Sequence, residues 1–75
     1  MSILMEFSMF PTDKGESVSQ EVSKVIEMIK NTGHPYKLTA MGTIVETETM
    51  AEALEVIQKS HDILDKNASR IYSSI

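Results

Sequence analysis

Two short extended runs, residues 36–40 and 43–48, stand back to back with only Met41 and Gly42 between them to turn on, and a helix-length segment flanks the pair on each side. No other feature limits the fold as much. On the N-terminal side, Val18, Val22, Val25, Ile26 and Ile29 recur at helical spacing behind Ser17 and Gln20, which read as a capping box. Thr32-Gly33-His34-Pro35 closes that helix, because glycine accepts a left-handed cap and proline cannot continue the turn. On the C-terminal side, Thr49 and Glu52 form a second capping box. Met50, Leu54, Ile57, His61 and Leu64 then step by four, three, four and three, with Asn67 as a left-handed cap.

Outside the helices lie two more extended runs. Residues 3–10 alternate, with Ile3, Met5, Phe7 and Met9 on an apolar face and Leu4, Glu6, Ser8 and Phe10 on a mixed one. Pro11 is expected to stop this strand, since it offers no N–H, and a polar loop follows at 12–16. Residues 70–75 read as a last strand. The order is therefore β-α-β-β-α-β, an α+β ferredoxin-like sandwich with one four-stranded antiparallel sheet and two helices on one face. The first and third strands should lie side by side at the centre, the fourth beside the first and the second beside the third. At 75 residues the chain is expected to be a single domain, 1–75, with one core layer.

Composition narrows the partners. A formal charge of −4 argues against nucleic acid, whose phosphates select for clustered Lys and Arg. There is no cysteine to build a disulfide or thiolate site. The opening residues lack a basic n-region, and no apolar run approaches the ~20 residues that span a bilayer, so the expected location is the cytoplasm, away from membrane.

Strand parity sends Met5, Phe7 and Val45 toward the helices and Glu6, Ser8, Phe10, Ile44 and Glu46 to the uncovered face. The second strand adds either Tyr36 and Leu38 or Lys37 and Thr39. Glu6 and Glu46 are set here on neighbouring parallel strands. A face that mixes Leu4, Phe10 and Ile44 with carboxylates suits partial cover by another subunit, with a small ligand at its margin. The plainer readings stand beside this one. Glu6 and Glu46 can simply pair with lysines or face water, Met41 can be packing, and Gly42 can be no more than a residue free to take φ > 0. His34 and His61 lack ligand spacing and read as structural, so no metal site is expected. No nucleophile–base spacing or phosphate-binding glycine loop is present either.

Met5-Glu6-Phe7-Ser8-Met9-Phe10-Pro11, then Lys14-Gly15-Glu16-Ser17-Val18-Ser19, then the Tyr-x-Leu-Thr-x-Met-Gly-Thr-x-x-Glu run at 36–46 resemble the small thiamine-binding protein family. The resemblance covers about residues 5–75. It implies dimers packed sheet to sheet, often paired into tetramers. It also implies non-enzymatic binding of thiamine or its hydroxymethylpyrimidine part, with thiamine as ligand and no catalytic cofactor. Members usually continue past a Ser-Ile pair with more strand, and often carry glycine where Thr47 stands here. On this resemblance Gly42 would let backbone approach a flat ring, and Met41 would supply a polarisable wall. Ser8 and Thr43 hydroxyls would bond ring nitrogens or the exocyclic amine, Glu46 or Glu6 would accept from the aminopyrimidine, and Phe10 would stack. The alternative is a regulatory or scaffold oligomer that takes another small metabolite or a protein partner through the same face.

Overall fold

The structure, a computed structural model, describes residues 2–12, 18–66 and 68–75. The Ser17 cap, the loop at 13–16, the side chain of Val18 and the Asn67 cap lie outside that description. The elements follow as β1 (Ile3–Pro11), α1 (Val18–Thr32), β2 (Tyr36–Thr39), β3 (Gly42–Thr47), α2 (Met50–Asp65) and β4 (Ile71–Ser74). The sheet order is β2-β3-β1-β4 with every neighbouring pair antiparallel, the ferredoxin-like arrangement expected. Local chemistry sets the helix ends. Thr32 donates its hydroxyl to the Ile29 carbonyl at 2.6 Å and accepts from the His34 N–H, while Gly33 takes φ 82°. At the start of α2 the Thr49 hydroxyl accepts from the Glu52 N–H, and the Glu52 carboxylate accepts from the Thr49 N–H.

β1 is the hinge of the sheet, because β3 and β4 each cover only part of it. β3 pairs residues 3–7, and β4 pairs residues 8–11. The Thr12 N–H donates to the Arg70 carbonyl at 3.0 Å, so the alternation of an antiparallel ladder turns the backbone groups of Ser8, Phe10 and Thr12 toward β4. Ile3, Met5 and Phe7 turn theirs toward β3. Two expectations change on this basis. Pro11 does not stop the ladder but is the last residue of β1: its missing N–H would have faced the β3 side, where β3 has already stopped, so its pairing with Ile71 in β4 survives. Glu6 and Glu46 do not lie on parallel strands either. β1 and β3 are antiparallel, with Glu6 opposite Ile44 and Leu4 opposite Glu46.

The core holds Phe7, Met9 and Val45 from the sheet, Val25 and Ile29 from α1, and Val56 and Leu64 from α2. Parity on β1 and β3 is as expected. In β2, Lys37 opposite Ile44 and Thr39 opposite Gly42 take the uncovered face, while Tyr36 and Leu38 share the helix side at an exposed edge. The face of α2 differs from expectation. The residues it buries are Ala53, Val56, Ser60 and Leu64, and of the expected stripe only Leu64 is fully enclosed. Met50 and Leu54 stay 56% and 58% exposed. Small residues let the helix settle closely on the sheet, and Ser60 tolerates burial because its hydroxyl donates to the Val56 carbonyl at 2.7 Å.

This orientation makes a contrast that denaturant melts can read. Leu64→Ala should cost about 2–5 kcal/mol, as for a fully enclosed leucine. Leu54→Ala should cost under about 1 kcal/mol at concentrations that keep the chain monomeric. Equal costs would mean that α2 is rolled toward the other stripe.

Candidate functional site

The tip of the β2–β3 hairpin is built by Thr39. Its hydroxyl accepts from the Met41 N–H at 3.2 Å and the Gly42 N–H at 3.1 Å, and donates to the Gly42 carbonyl at 2.8 Å. A threonine at the first corner of a turn can satisfy the loop backbone in this way, which an apolar residue cannot. Ala40 and Met41 form the two-residue loop, and neither has positive φ, which rules out the turn types whose twist matches paired strands. The adjustment falls on Gly42, at φ 153°. A Cβ there would sit 2.7 Å from the Phe7 carbonyl oxygen of β1. Glycine is thus required by the protein's own sheet. Met41 is thrown outward, 81% exposed.

The hairpin tip ends level with Ser8, while β1 runs on to Pro11 beneath α1. A cavity of about 360 Å³ opens between them. Ser8, Phe10, Met41, Gly42 and Thr43 all line it, so the structure gathers five of the seven expected residues in one place. Phe10 also packs on Tyr72, with ring centroids 5.2 Å apart and planes inclined by 34°. The opposite wall is Val22, Val25 and Ile26 of α1, with Leu38 at the rim. Helical spacing alone places those valines and the isoleucine in the core. Only Val25 is fully buried; Val22 and Ile26 are not both enclosed with it but line the cavity.

The two carboxylates lie elsewhere. Glu46 is four residues along β3 from Gly42, about 13 Å at the usual strand rise. It lines a separate, broad cavity of about 920 Å³ with His34, Glu48 and Glu52 at the start of α2. Glu48 and Thr49 donate their N–H groups to the Glu52 carboxylate, so that acid is engaged in the cap. Thr47 walls the same cavity and donates its hydroxyl to the Thr49 carbonyl at 2.8 Å. Glu6 borders a third, apolar cavity. Its Cγ nevertheless comes within 3.7 Å of where a Gly42 Cβ would stand, which makes it the carboxylate nearer the hairpin tip. Neither Glu6 nor Glu46 belongs to an ion pair among the described residues. Sequence reasoning also passes over Glu21, buried in the first turn of α1, with one oxygen 3.7 Å from the Lys24 Nζ. No group of three His, Asp or Glu among the described residues could hold a metal ion, and no helix among them is long and apolar enough to cross a membrane.

Comparison with known proteins adds a family. The profile of the family described as "Thiamine-binding protein" matches residues 5–75. UPF0045 protein Mb1933 of Mycobacterium bovis is 33% identical over the whole chain, which spans 74% of that relative. The crystal structure of hypothetical protein MJ1052 from Methanocaldococcus jannaschii superposes with a TM-score of 0.86 at 33% identity. It covers 97% of this chain and 74% of that one. A Thermotoga maritima protein provisionally named for thiamine biosynthesis or salvage shares the fold, with a TM-score of 0.85 at 19% identity, covering 99% of this chain and 78% of that one.

The two glycines with positive φ among the described residues separate strain from steric conflict. Gly33 has no heavy atom within 4 Å of where a Cβ would stand, so Gly33→Ala should incur only the left-handed backbone cost of about 1–2 kcal/mol. Gly42→Ala adds a backbone clash and should cost more than Gly33→Ala in urea denaturation. A smaller loss at Gly42 would mean that the hairpin tip can move away from β1.

Proposed function

Because the chain belongs to the thiamine-binding protein family, we propose that it binds thiamine or its hydroxymethylpyrimidine part without catalysing a reaction, as a small homo-oligomer of the cytoplasm. The observation that carries this reading is the convergence of Ser8, Phe10, Met41, Gly42 and Thr43 on one cavity between the hairpin tip and α1. Its 360 Å³ falls in the range of small-molecule sites, and its walls combine apolar side chains with a few hydroxyls. An aminopyrimidine is flat, apolar on its faces and polar at its edge. Val22, Ile26 and Met41 suit the faces, while Ser8 and Thr43 can bond the edge. Glu6 is the carboxylate placed to accept from an exocyclic amine near the tip.

Oligomerisation is proposed on separate grounds. The uncovered sheet face carries Leu4, Phe10, Ile44 and Tyr72 in one tract, with Leu4 74% exposed. A tract of that kind fits a sheet-to-sheet subunit contact.

Titration calorimetry with thiamine and hydroxymethylpyrimidine tests the reading. Thr43→Val should weaken both ligands by about 0.5–1.5 kcal/mol, the net worth of one hydrogen bond. Glu6→Gln should weaken both, and Glu46→Gln should leave the pyrimidine unaffected. Loss confined to Glu46→Gln would move the ligand to the acid-lined cavity at the start of α2. Absence of heat with either ligand would favour the regulatory oligomer instead.

A further inference from the structure

β1 runs past the end of its pairing with β3. The register of that pair would set Ser8 opposite Gly42 and Met9 opposite Met41, yet the pairing ends at Phe7 opposite Thr43. Met41 gives its N–H to the Thr39 hydroxyl at 3.2 Å, so the hairpin loop closes on itself. The alternation of the ladder turns the Met9 N–H and C=O to this side, toward the gap that the hairpin leaves. Among the described residues no backbone group of the hairpin pairs with either of them. Pro11, next on the same side, has no N–H. The gap therefore offers one donor beside one acceptor, too little ladder to hold a strand.

The same gap is the candidate cavity. Met9 lines it together with Ser8 and Phe10, so β1 residues of both parities border it and it opens in the plane of the sheet. Val22 and Ile26 of α1 wall its helix side. A flat ring lying in that plane would turn one face to α1 and its edge to Met9. In an antiparallel ladder the partner of such a residue supplies an acceptor and a donor side by side. An aminopyrimidine carries the same pair on its edge: a ring nitrogen that accepts and, on the adjoining carbon, an amine that donates.

We infer that the Met9 peptide edge is the specificity element of the candidate site, an inference that rests on the aminopyrimidine reading of the cavity. Its N–H donates to the ring nitrogen and its C=O accepts one amine hydrogen, so the heterocycle takes the ladder position that Met41 leaves vacant. The second amine hydrogen stays available to Glu6. The Ser8 and Thr43 hydroxyls can rotate to donate or accept, and so suit either kind of edge. The peptide edge of a paired strand has no such freedom. A ring with an oxo group in place of the amine carries a protonated nitrogen beside it. At Met9 that ring sets donor against donor and acceptor against acceptor. The class selected is therefore a heterocycle with an amidine edge, and the side chain at position 9 takes no part in these bonds.

Titration calorimetry with thiamine and its oxo analogue tests the selection. The oxo analogue should bind on the order of a hundredfold more weakly, since both peptide groups are left opposed. Glu6 also favours the amine, so the comparison is repeated with Glu6→Gln, where the discrimination should stay above about tenfold. Amide hydrogen exchange reads Met9 itself. With saturating thiamine or hydroxymethylpyrimidine its amide should exchange at least about tenfold more slowly, while the Phe10 amide, already paired with β4, slows by less. Discrimination below that level in Glu6→Gln would overturn the inference and leave thiamine binding standing. So would a bound aminopyrimidine that leaves Met9 exchange unchanged. Absence of heat from thiamine and from the pyrimidine alcohol would remove the reading of the cavity and this inference with it.

Discussion

Everything in this fold depends on how β1 divides its hydrogen bonds. A central strand alternates its backbone groups between its two neighbours, and here neither neighbour spans all nine residues. The odd-numbered half of the ladder fixes β3 and the even-numbered half fixes β4. That division decides where proline is tolerated, because Pro11 loses a donor only on the side already abandoned by β3. It also decides where cavities form. The candidate ligand site lies past the end of the β3 pairing, and the third, apolar cavity lies beside residues 3–6 of β1.

The hairpin then completes the first of these sites. Thr39 holds the loop closed through its hydroxyl, and the twist that an ordinary two-residue loop leaves unmatched is absorbed at Gly42. The cost of that conformation is low for glycine and high for anything with a Cβ. Closing the tip against the Phe7 carbonyl leaves Met41 exposed beside the cavity and presents Thr43 at its edge. Thr39 and Gly42 thus have structural tasks at this turn, one in its hydrogen bonds and the other in its close approach to β1, while Met41 stands exposed at the cavity.

Periodicity made the element order legible, since each helix had a stripe and each strand an alternation. The orientation of α2 was not legible, for a physical reason. Its buried face uses Ala53 and Ser60, which count little on any hydrophobic scale but allow close approach to the sheet. The more apolar-looking Met50 and Leu54 therefore stood out as the core stripe while lying outside it. The site was legible in part. Ser8, Phe10, Met41, Gly42 and Thr43 fall together, but Glu46 is separated by the length of β3, a distance that a motif read as a string does not display. The walls from α1 were hidden because a valine lining a cavity carries the same spacing as one in a core.

The separation of charge from cavity bears on which ligand such a site would prefer. With the pyrimidine in the cavity below the hairpin tip, its contacts are apolar walls, hydroxyls and, at the exocyclic amine, Glu6, which act equally on thiamine and on the uncharged pyrimidine alcohol. The thiazolium must then lie outside, where both Glu6 and the more distant Glu46 are solvent-exposed. An exposed ion pair contributes about 0–1 kcal/mol, so the fixed positive charge adds at most roughly fivefold in affinity. A protein built to select thiamine by its charge would bury a carboxylate beside the ring. On the placement proposed here, this chain would instead recognise the pyrimidine common to both ligands, and its response to salt should be weak for thiamine as well as for the alcohol.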